Sequence, residues 1–270
     1  MNASPPATVL ITGASSGIGA GLAREFARRG FQVALVARRL EQLQLLAAEI
    51  HAAGGQATVH RGDVTRDGEL AAVVQELAGR GVNLAIVIAN AGFGVVGPAQ
   101  KLALSDYHRQ FDTNVWGVIR TLHETLPALR RTQGRFVIMG SVAGHISGAG
   151  SSPYAMSKFA VRALAEALHG DLRTEGVGCT LISPGFVDSD IRRVDNQGGL
   201  HAEAKDPIPP WLRMPTDRAA RIMVNGILRG KREVFVTFHA RVIVFFVRHF
   251  PGFTRWALLR GGRGARPDPG

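Results

Sequence analysis

Short apolar runs alternate along the chain with longer segments in which apolar residues recur at helical spacing. The apolar runs predict seven buried strands, at residues 8–12, 32–37, 56–60, 84–89, 135–139, 177–183 and 233–236. The segments between them predict helices at about 17–29, 40–53, 66–80, 106–131, 154–175 and 216–229. This alternation is typical of a parallel sheet with helices on both faces, so it predicts an α/β protein with one doubly wound, seven-stranded sheet.

Two regions after the sixth predicted strand interrupt the alternation. Residues 186–215 are polar and are broken by two glycines and four prolines, which predicts an excursion with short helices at most. A substrate lid would lie there. Residues 239–270 are apolar and rich in arginine. We therefore expect a main domain over residues 1–238, which includes the lid, and a tail over 239–270.

Composition narrows the possible chemistry. A chain of 270 residues, 46% of them hydrophobic, can bury one large core. The single cysteine, Cys179, excludes a disulfide framework and a cysteine-rich zinc site, and we expect it in the core rather than as a nucleophile. The nine histidines show no metal-ligand spacing, so we expect no catalytic metal.

The formal net charge of +11 suggests an anionic partner, which could be a nucleotide, a membrane surface or nucleic acid. The absence of any zinc-finger, RNP or basic-zipper motif disfavours nucleic acid. No basic segment precedes the first apolar run, and no apolar run reaches the ~18 residues that a spanning helix needs. We expect a cytoplasmic protein whose tail is a candidate membrane contact on the cytoplasmic face.

The first predicted strand leads into a glycine-rich turn, TGASSGIG at 12–19. Gly13 can adopt backbone angles closed to other residues, Gly17 lets a pyrophosphate approach the main chain, and Gly19 allows close packing. A helix that starts there would offer N–H groups and a partial positive charge to phosphate. The position after a strand favours a dinucleotide loop over a plain turn, with contacts expected from Gly13, Ser15, Ser16, Gly17, Ile18 and Gly19.

At the end of the second predicted strand the chain reads Ala37-Arg38-Arg39. An NAD enzyme would place an acid there to bond the ribose hydroxyls. No carboxylate is present to repel a 2′-phosphate, and guanidinium groups can bind one bidentately, so the sequence favours NADP(H). The alternative is that both arginines belong to a solvated helix start.

Tyr154 and Lys158 stand four residues apart near the start of a predicted helix, so their side chains project from one face. A phenol with a pKa of ~10 is a poor base at neutral pH. A neighbouring ammonium lowers that pKa, which makes Tyr154 a candidate proton donor to a ketone oxygen. Such a pair alone is also common on protein surfaces.

The chain resembles the short-chain dehydrogenase/reductase family over about residues 7–190 and 216–236. The markers are TGASSGIG at 12–19, GDV at 62–64, NAG at 90–92, Asn114, Ser141, YAMSK at 154–158 and PG at 184–185. The resemblance implies a single Rossmann domain that transfers a hydride between NADP(H) and a carbonyl carbon. We also expect a homodimer or homotetramer; the smooth helix face at Ala155, Ala160, Ala163 and Ala167 could be a dimer interface or could pack on the sheet.

The same resemblance implies the roles of individual residues. Tyr154 would be the general acid/base, and Ser141 would hydrogen-bond the substrate oxygen. Lys158 would hold the nicotinamide ribose and lower the pKa of Tyr154, while Asn114 would anchor a proton-relaying water. Ser189 stands where many members have a threonine that bonds the nicotinamide amide. The serine hydroxyl can make the same bond. The implied cofactor contacts are Asp63 and Val64 at the adenine ring, Asn90, Ala91 and Gly92 along the wall of the cofactor cleft, Pro184 and Gly185 beside the nicotinamide, and also Tyr154, Lys158, Val187 and Ser189.

Other functions remain open at this stage. The chain could be a non-catalytic NADP-binding sensor, although such proteins usually lack the tyrosine or the lysine. A sugar-nucleotide epimerase would need a larger C-terminal domain. His145, close after Ser141, could face a substrate, but a lone loop histidine is more often solvated. Reductases of small carbonyls or of 3-oxoacyl thioesters are alternatives to an enzyme for lipid-like ketones.

The tail combines apolar residues with regularly spaced arginines. Val242–Val247 is an apolar run between Arg241 and Arg248, and Arg255 continues the spacing, although Pro251 should start a second short helix. Further apolar residues are Phe250, Phe253, Trp256, Leu258 and Leu259. The segment could lie in the headgroup region of a membrane, pack on its own domain, or bind a partner. Membrane contact would favour a sphingoid, steroid or fatty-acyl ketone, substrates like those of the similar ketosphinganine reductases and hydroxysteroid dehydrogenases.

Overall fold

The computed structural model describes residues 7–196, 199, 201, 203 and 206–261, except for the side chains of 255, 258, 259 and 261. The rest of the expected lid and tail, and the side chains of Arg255, Leu258 and Leu259, lie outside the described residues. The strands are β1 (Thr8–Thr12), β2 (Gln32–Ala37), β3 (Gln56–Arg61), β4 (Leu84–Ala89), β5 (Arg135–Met139), β6 (Gly178–Ser183) and β7 (Glu233–Phe235).

The helices alternate with these strands as far as β7, and two more follow it. They are α1 (Gly17–Arg28), α2 (Leu40–Ala52), α3 (Glu69–Gly79), α4 (Leu104–Phe111), α5 (Gly117–Thr132), α6 (Ser152–Asp171), α7 (Thr216–Leu228), α8 (Phe238–His249) and α9 (Pro251–Gly261). Short 3₁₀ turns at Asp190–Arg192 and Pro210–Leu212 are the regular helical structure described in the expected lid.

All seven strands pair in parallel, in the order β3-β2-β1-β4-β5-β6-β7. The predicted doubly wound sheet is therefore confirmed. The strand order reverses between β1 and β4, and the crevice outside the carboxyl ends of the strands at such a point is where open α/β sheets bind ligands. The glycine-rich turn after β1 and the NAG segment after β4 both lie at this edge.

Alternate side chains of the central strands pack into two separate hydrophobic cores, one on each face of the sheet. Val9 and Ile11 of β1 face the cluster that contains Phe26 of α1, whereas Leu10 faces the cluster that contains Leu129 of α5. All five side chains are fully buried. Since burial of one such side chain contributes about 1.5–3 kcal/mol, covering both faces accounts for strands that are apolar throughout.

The largest difference from the sequence prediction lies in the segment expected to be one helix, 106–131. The chain instead forms α4, a π-helical turn at Asp112–Trp116, and α5. A π turn is often found at functional sites, and this one carries Asn114. Smaller differences are the start of α3 at Glu69, where Gly68 with φ 84° precedes the helix, and the end of α6 at Asp171.

Two helices follow the last strand. Thr237 caps α8, its side chain accepting a bond from the N–H of Ala240, and α9 begins at Pro251 as predicted. Within the described part of the chain, no helix is long and apolar enough to cross a membrane.

Candidate active site

The phosphate loop between β1 and α1 depends on close backbone contacts. Gly13 has φ 65°, and a Cβ there would lie 2.7 Å from Cα of Ala91. A Cβ at Gly19 would lie 2.4 Å from the carbonyl oxygen of Gly13. Side chains at these two positions would push the loop away from the NAG segment, which explains the glycines in physical terms. Ile18 instead packs on the core beneath α1.

A guanidinium group lies across this loop. Arg39 donates hydrogen bonds to the hydroxyls of Ser15 at 2.9 Å and Ser16 at 2.8 Å. No side chain caps α1, so the N–H groups of its first turn stay available to an anion. Two hydroxyls, a guanidinium and a helix N-terminus make a donor set that fits the phosphates of a dinucleotide.

Arg38 lies at the neighbouring corner of the site. Its Nη1 is 4.0 Å from Oδ2 of Asp63, and its side chain is 69% exposed. Oδ1 of Asp63 accepts bonds from the N–H and the hydroxyl of Thr65. Val64 is buried behind it. The fold thus brings Arg38, predicted to bind the 2′-phosphate, close to Asp63 and Val64, predicted to contact the adenine ring. These residues follow the neighbouring strands β2 and β3.

The NAG segment after β4 holds the loop in place. The Asn90 amide donates to the carbonyl oxygens of Thr12 at 2.9 Å and Gly13 at 3.1 Å. The N–H groups of Asn90 and Ala91 both donate to the hydroxyl of Thr12. Asn90 therefore joins two strand ends across the switch point. A Cβ at Gly92 would lie 3.1 Å from Oδ1 of Asn114, which brings the cofactor wall next to the π turn.

Tyr154 is partly buried at the start of α6. Its hydroxyl is hydrogen-bonded to Ser141, whose Oγ also accepts a bond from the N–H of Ala143 at 3.1 Å. Burial raises the pKa of Tyr154, while the Ser141 bond and the positive charge of Arg192 oppose that shift. The protein in this state favours the neutral phenol.

Lys158 lies one helical turn further on and is buried. Its Nζ donates to the carbonyl oxygen of Met139 at 2.8 Å and is 5.7 Å from the centroid of the Tyr154 ring. Desolvation lowers the pKa of Lys158 to about 8. Desolvation of the phenol outweighs the opposing effects of Ser141 and Arg192 here, and the expected effect of Lys158 on the pKa of Tyr154 remains a prediction.

Asn114 projects from the π turn toward the loop after β4. Its Oδ1 accepts the N–H of Phe93 at 3.1 Å, and its Nδ2 donates to the carbonyl oxygen of Phe93 at 3.0 Å and to Ser157 at 3.2 Å. These contacts hold Asn114 between the loop after β4 and α6. Its role in holding a water remains a prediction.

The segment after β6 contacts the loop after β5, the start of α8 and the phosphate loop. The carbonyl oxygen of Pro184 accepts the N–H of Val142, and a Cβ at Gly185 would lie 2.4 Å from Nε2 of His239. Val187 is buried. A Cβ at Gly17 would come 3.2 Å from Cβ of Ser189, so the root of the lid lies directly against the phosphate loop.

Sequence reasoning did not anticipate two attachments of the lid. The Asn196 side chain donates to the carbonyl oxygen of Val96 at 2.9 Å and accepts its N–H at 3.0 Å. Arg192 makes paired bonds to Asp206, with a shortest distance of 2.6 Å. Although burial of Asp206 would raise its pKa, hydrogen bonds from Arg192 and Ile208 hold it at about 2. The described part of the expected lid is thereby bonded to the loop after β4, and Arg192 is bonded to Asp206 within it.

His145 is not solvated, contrary to the sequence expectation. It is buried, and its Nε2 lies 2.8 Å from a carboxylate oxygen of Glu233 on β7. Cys179 is buried as predicted, and burial raises the pKa of its thiol to about 12. In the described ranges no three histidine, cysteine or acidic side chains cluster to hold a metal.

Comparisons with known proteins point to one family. The family model described as short chain dehydrogenase matches residues 7–198. An uncharacterized oxidoreductase of Myxococcus xanthus is 39% identical over 228 residues, covering 84% of this chain and 86% of that protein. The 11-beta-hydroxysteroid dehydrogenase-like 4A protein of Arabidopsis thaliana is 35% identical over 246 residues, covering 87% of this chain and 78% of that protein.

Among solved structures, a short-chain dehydrogenase from Sphingobium yanoikuyae in complex with NADPH superimposes with a TM-score of 0.75 at 28% identity, covering 97% of this chain and 99% of that one. The family match spans β1 to the root of the lid and includes every predicted catalytic residue. The chain therefore belongs to the short-chain dehydrogenase/reductase family, a family of nicotinamide-dependent oxidoreductases.

Proposed function

We propose that this protein is an NADP(H)-dependent oxidoreductase that interconverts a ketone and a secondary alcohol, with Tyr154 as general acid and base. The observation that carries the proposal is the joint placement of Ser141, Tyr154 and Lys158 at the carboxyl edge of the sheet, beside the phosphate loop. When bound, the nicotinamide supplies the hydride for reduction or accepts it in oxidation.

The proton chemistry follows from the side chains. Because burial keeps the phenol of Tyr154 protonated, the residue is ready to donate to a ketone oxygen that gains negative charge. The Ser141 hydroxyl, already bonded to Tyr154, is placed to donate to the same oxygen. In the reverse direction the phenol would have to lose its proton first, a step that the charges of Lys158 and Arg192 would assist.

The preference for NADP(H) rests on the corner at the ends of β1 and β2. Arg39 already lies on Ser15 and Ser16, and Arg38 lies on the adenine side near Asp63. A 2′-phosphate there would meet two guanidinium groups, whereas no carboxylate stands at Ala37 to bond ribose hydroxyls. The NADPH bound by the Sphingobium yanoikuyae enzyme supports the same choice.

For the substrate we propose a hydrophobic, lipid-like ketone or alcohol. The exposed aromatic residues of α8 and α9 support this class, as does the hydroxysteroid dehydrogenase-like name of the Arabidopsis thaliana relative. The same cleft could instead take small carbonyls or 3-oxoacyl thioesters. A panel of steroid, sphingoid, thioester and small diketone substrates, followed by NADPH absorbance, separates these classes.

We also propose a homodimer or homotetramer formed through α6. Of the four alanines expected on one face, Ala163 and Ala167 are exposed, whereas Ala155 is buried and Ala160 packs on the core. The exposed side of α6 instead adds Met156 and Phe159 to Ala163 and Ala167. Trp116, the last residue of the π turn before α5, is also exposed. An apolar face of this kind is typical of a buried subunit interface. Light scattering on the native chain and on Phe159→Glu, which would put a charge into that interface, tests the assembly.

The decisive test of activity is Tyr154→Phe, which removes the transferable proton and little volume. We expect turnover to fall roughly 10²–10⁴-fold while NADPH binding changes little. Ser141→Ala should lower turnover as well. If Tyr154→Phe retained more than about a tenth of the activity on the best substrate, the phenol would not be the proton donor.

A further inference from the structure

The two helices after β7 display a surface that the proposed reaction does not use. We call it the C-terminal aromatic face. Its members have side chains that are between 37% and 79% exposed, which is unusual for large apolar groups. They are Phe238, Val242, Phe245, Phe246, Phe250, Phe253 and Trp256.

The opposite side of α8 is attached to the domain. Ala240 and Val244 are buried, and Arg248 lies 3.5 Å from Glu233 on β7. These contacts set the rotation of α8 about its axis. Because residues three, four and seven apart share a side of a helix, Phe238, Val242 and Phe245 are turned outward together.

The aromatic rings form one connected row across the junction at Pro251. Ring centroids are 5.8 Å apart for Phe246 and Phe250, 6.3 Å for Phe246 and Phe253, and 5.9 Å for Phe253 and Trp256. The row therefore continues from α8 onto α9. A connected row of exposed rings marks an interaction surface, unlike single exposed apolar residues, which are normal.

The charge of the same helices identifies the partner. Residues 238–261 contain four arginines and no aspartate or glutamate. The guanidinium of Arg260 lies 4.5 Å over the ring of Trp256, so cation and aromatic ring meet at the surface. Two copies of this chain pairing through identical basic faces would repel each other. An anionic surface is complementary.

The lengths of the helices exclude insertion across a bilayer. The 12 residues of α8 and 11 of α9 correspond to about 18 Å and about 16 Å, against the ~30 Å of a hydrocarbon core. Basic helices with exposed aromatic residues bind along the interface, with rings at the boundary of headgroups and acyl chains and arginines at lipid phosphates.

We propose that the C-terminal aromatic face binds the surface of anionic lipid bilayers. Adsorption is independent of the proposed reaction, since it requires neither cofactor nor turnover. It would nonetheless place the α8 side of the domain, which contacts the segment after β6, next to lipid. A membrane-dissolved substrate would then reach the protein without passing through bulk water.

The first experiment is flotation of the full chain with phosphatidylcholine vesicles, with or without roughly one-third phosphatidylserine. We expect flotation that depends on phosphatidylserine and weakens as salt is raised. The variant Phe245→Ser/Phe253→Ser/Trp256→Ser should lose at least roughly tenfold in partitioning. Leu104→Ser/Trp211→Ser is the matched control, because both residues are exposed but lie outside the face.

Charge and location are tested separately. Arg241→Gln/Arg260→Gln should weaken partitioning roughly fivefold per arginine and flatten its salt dependence. Trp116→Phe/Trp211→Phe leaves Trp256 as the single tryptophan, and its fluorescence should be quenched by brominated lipids. Circular dichroism and thermal unfolding check that each variant folds.

Three outcomes would overturn the proposal. The first is no binding to either vesicle composition, whatever other partner is found. The second is equal loss of binding in the triple variant and in the control. The third is that the wild type does not float with vesicles but is a dimer, and that the triple substitution makes it a monomer. That result would assign the face to a second copy of the chain. All three are read without turnover, so they do not bear on the proposed reaction.

Discussion

The backbone N–H of Phe186 donates a hydrogen bond to Nε2 of His239 at 3.0 Å, and the two rings stack with centroids 5.2 Å apart. His239 is the second residue of α8, whereas Phe186 directly follows the Pro184-Gly185 pair expected beside the nicotinamide. Burial lowers the pKa of His239, which keeps the ring neutral and able to accept. The C-terminal helix thus holds the loop on one side of the proposed cofactor cleft.

This relationship predicts that His239→Phe will weaken cofactor binding. Phenylalanine can still stack on Phe186 but leaves its part-buried N–H without this acceptor, at a cost of up to about 1–3 kcal/mol. We expect a higher Kd and KM for NADPH, with a smaller change in kcat. His239→Gln, whose amide oxygen can accept the same bond, should restore much of the affinity. Equal losses in the two variants would show that ring packing matters and the hydrogen bond does not.

The second prediction concerns cofactor choice. Arg39→Ala removes the guanidinium that spans Ser15 and Ser16, so NADPH affinity should fall roughly 10- to 100-fold while NADH affinity changes little. The double variant Ala37→Asp/Arg38→Ala should shift preference further toward NAD, because it adds the missing acid. Titration of cofactor fluorescence measures both. Equal affinity of the native protein for the two cofactors would contradict the assignment.

The third prediction is a pH dependence of stability caused by Lys158. Its pKa falls from 10.5 to about 8 in the folded protein, so between these values the unfolded chain binds a proton that the folded chain does not. The free energy of unfolding should therefore rise with pH across this window, by about 3 kcal/mol from this group.

Titration of Cys179 changes the free energy of unfolding in the opposite direction over part of that pH window. Its pKa is raised from 9.0 to about 12, so above pH 9 its contribution falls as pH rises. The quantity to measure is therefore the difference in free energy of unfolding between wild type and Lys158→Met, obtained by urea unfolding without cofactor at each pH. Lys158→Met should be the more stable at pH 7, and its advantage should shrink toward pH 10.5. A difference that does not vary with pH would refute the assigned shift.

The fourth prediction concerns the lid. Asn196→Ala removes both hydrogen bonds to Val96 and should free the lid from the loop after β4. We expect a higher KM for the carbonyl substrate with little change in NADPH affinity, since the phosphate loop is untouched. Asn196→Asp is the control, because it keeps one acceptor for the N–H of Val96. An unchanged KM in Asn196→Ala would mean that the Asn196–Val96 hydrogen bonds do not affect access of the substrate to the site.

The sequence by itself determined the sheet and the order of the site residues. The bounds of β1, β2, β4 and β5 match the prediction because these strands have continuous apolar interiors and are followed by glycine or polar residues. Helix–strand alternation then requires a parallel sheet, which brings the phosphate loop and the NAG segment to one edge. Pro251 likewise marked the start of α9 through its fixed backbone geometry.

Only the tertiary structure decided the environment of each group. The partner of Asn196 lies 100 residues away, and that of Phe186 lies 53 residues away, distances that no local period encodes. The π turn around Asn114 interrupts a helix whose apolar spacing looks continuous. The pKa of Tyr154 also depends on tertiary packing. Desolvation by the assembled fold raises it against the opposing effects of Ser141 and Arg192, residues that lie far from Tyr154 in the sequence and that helix spacing does not bring near it.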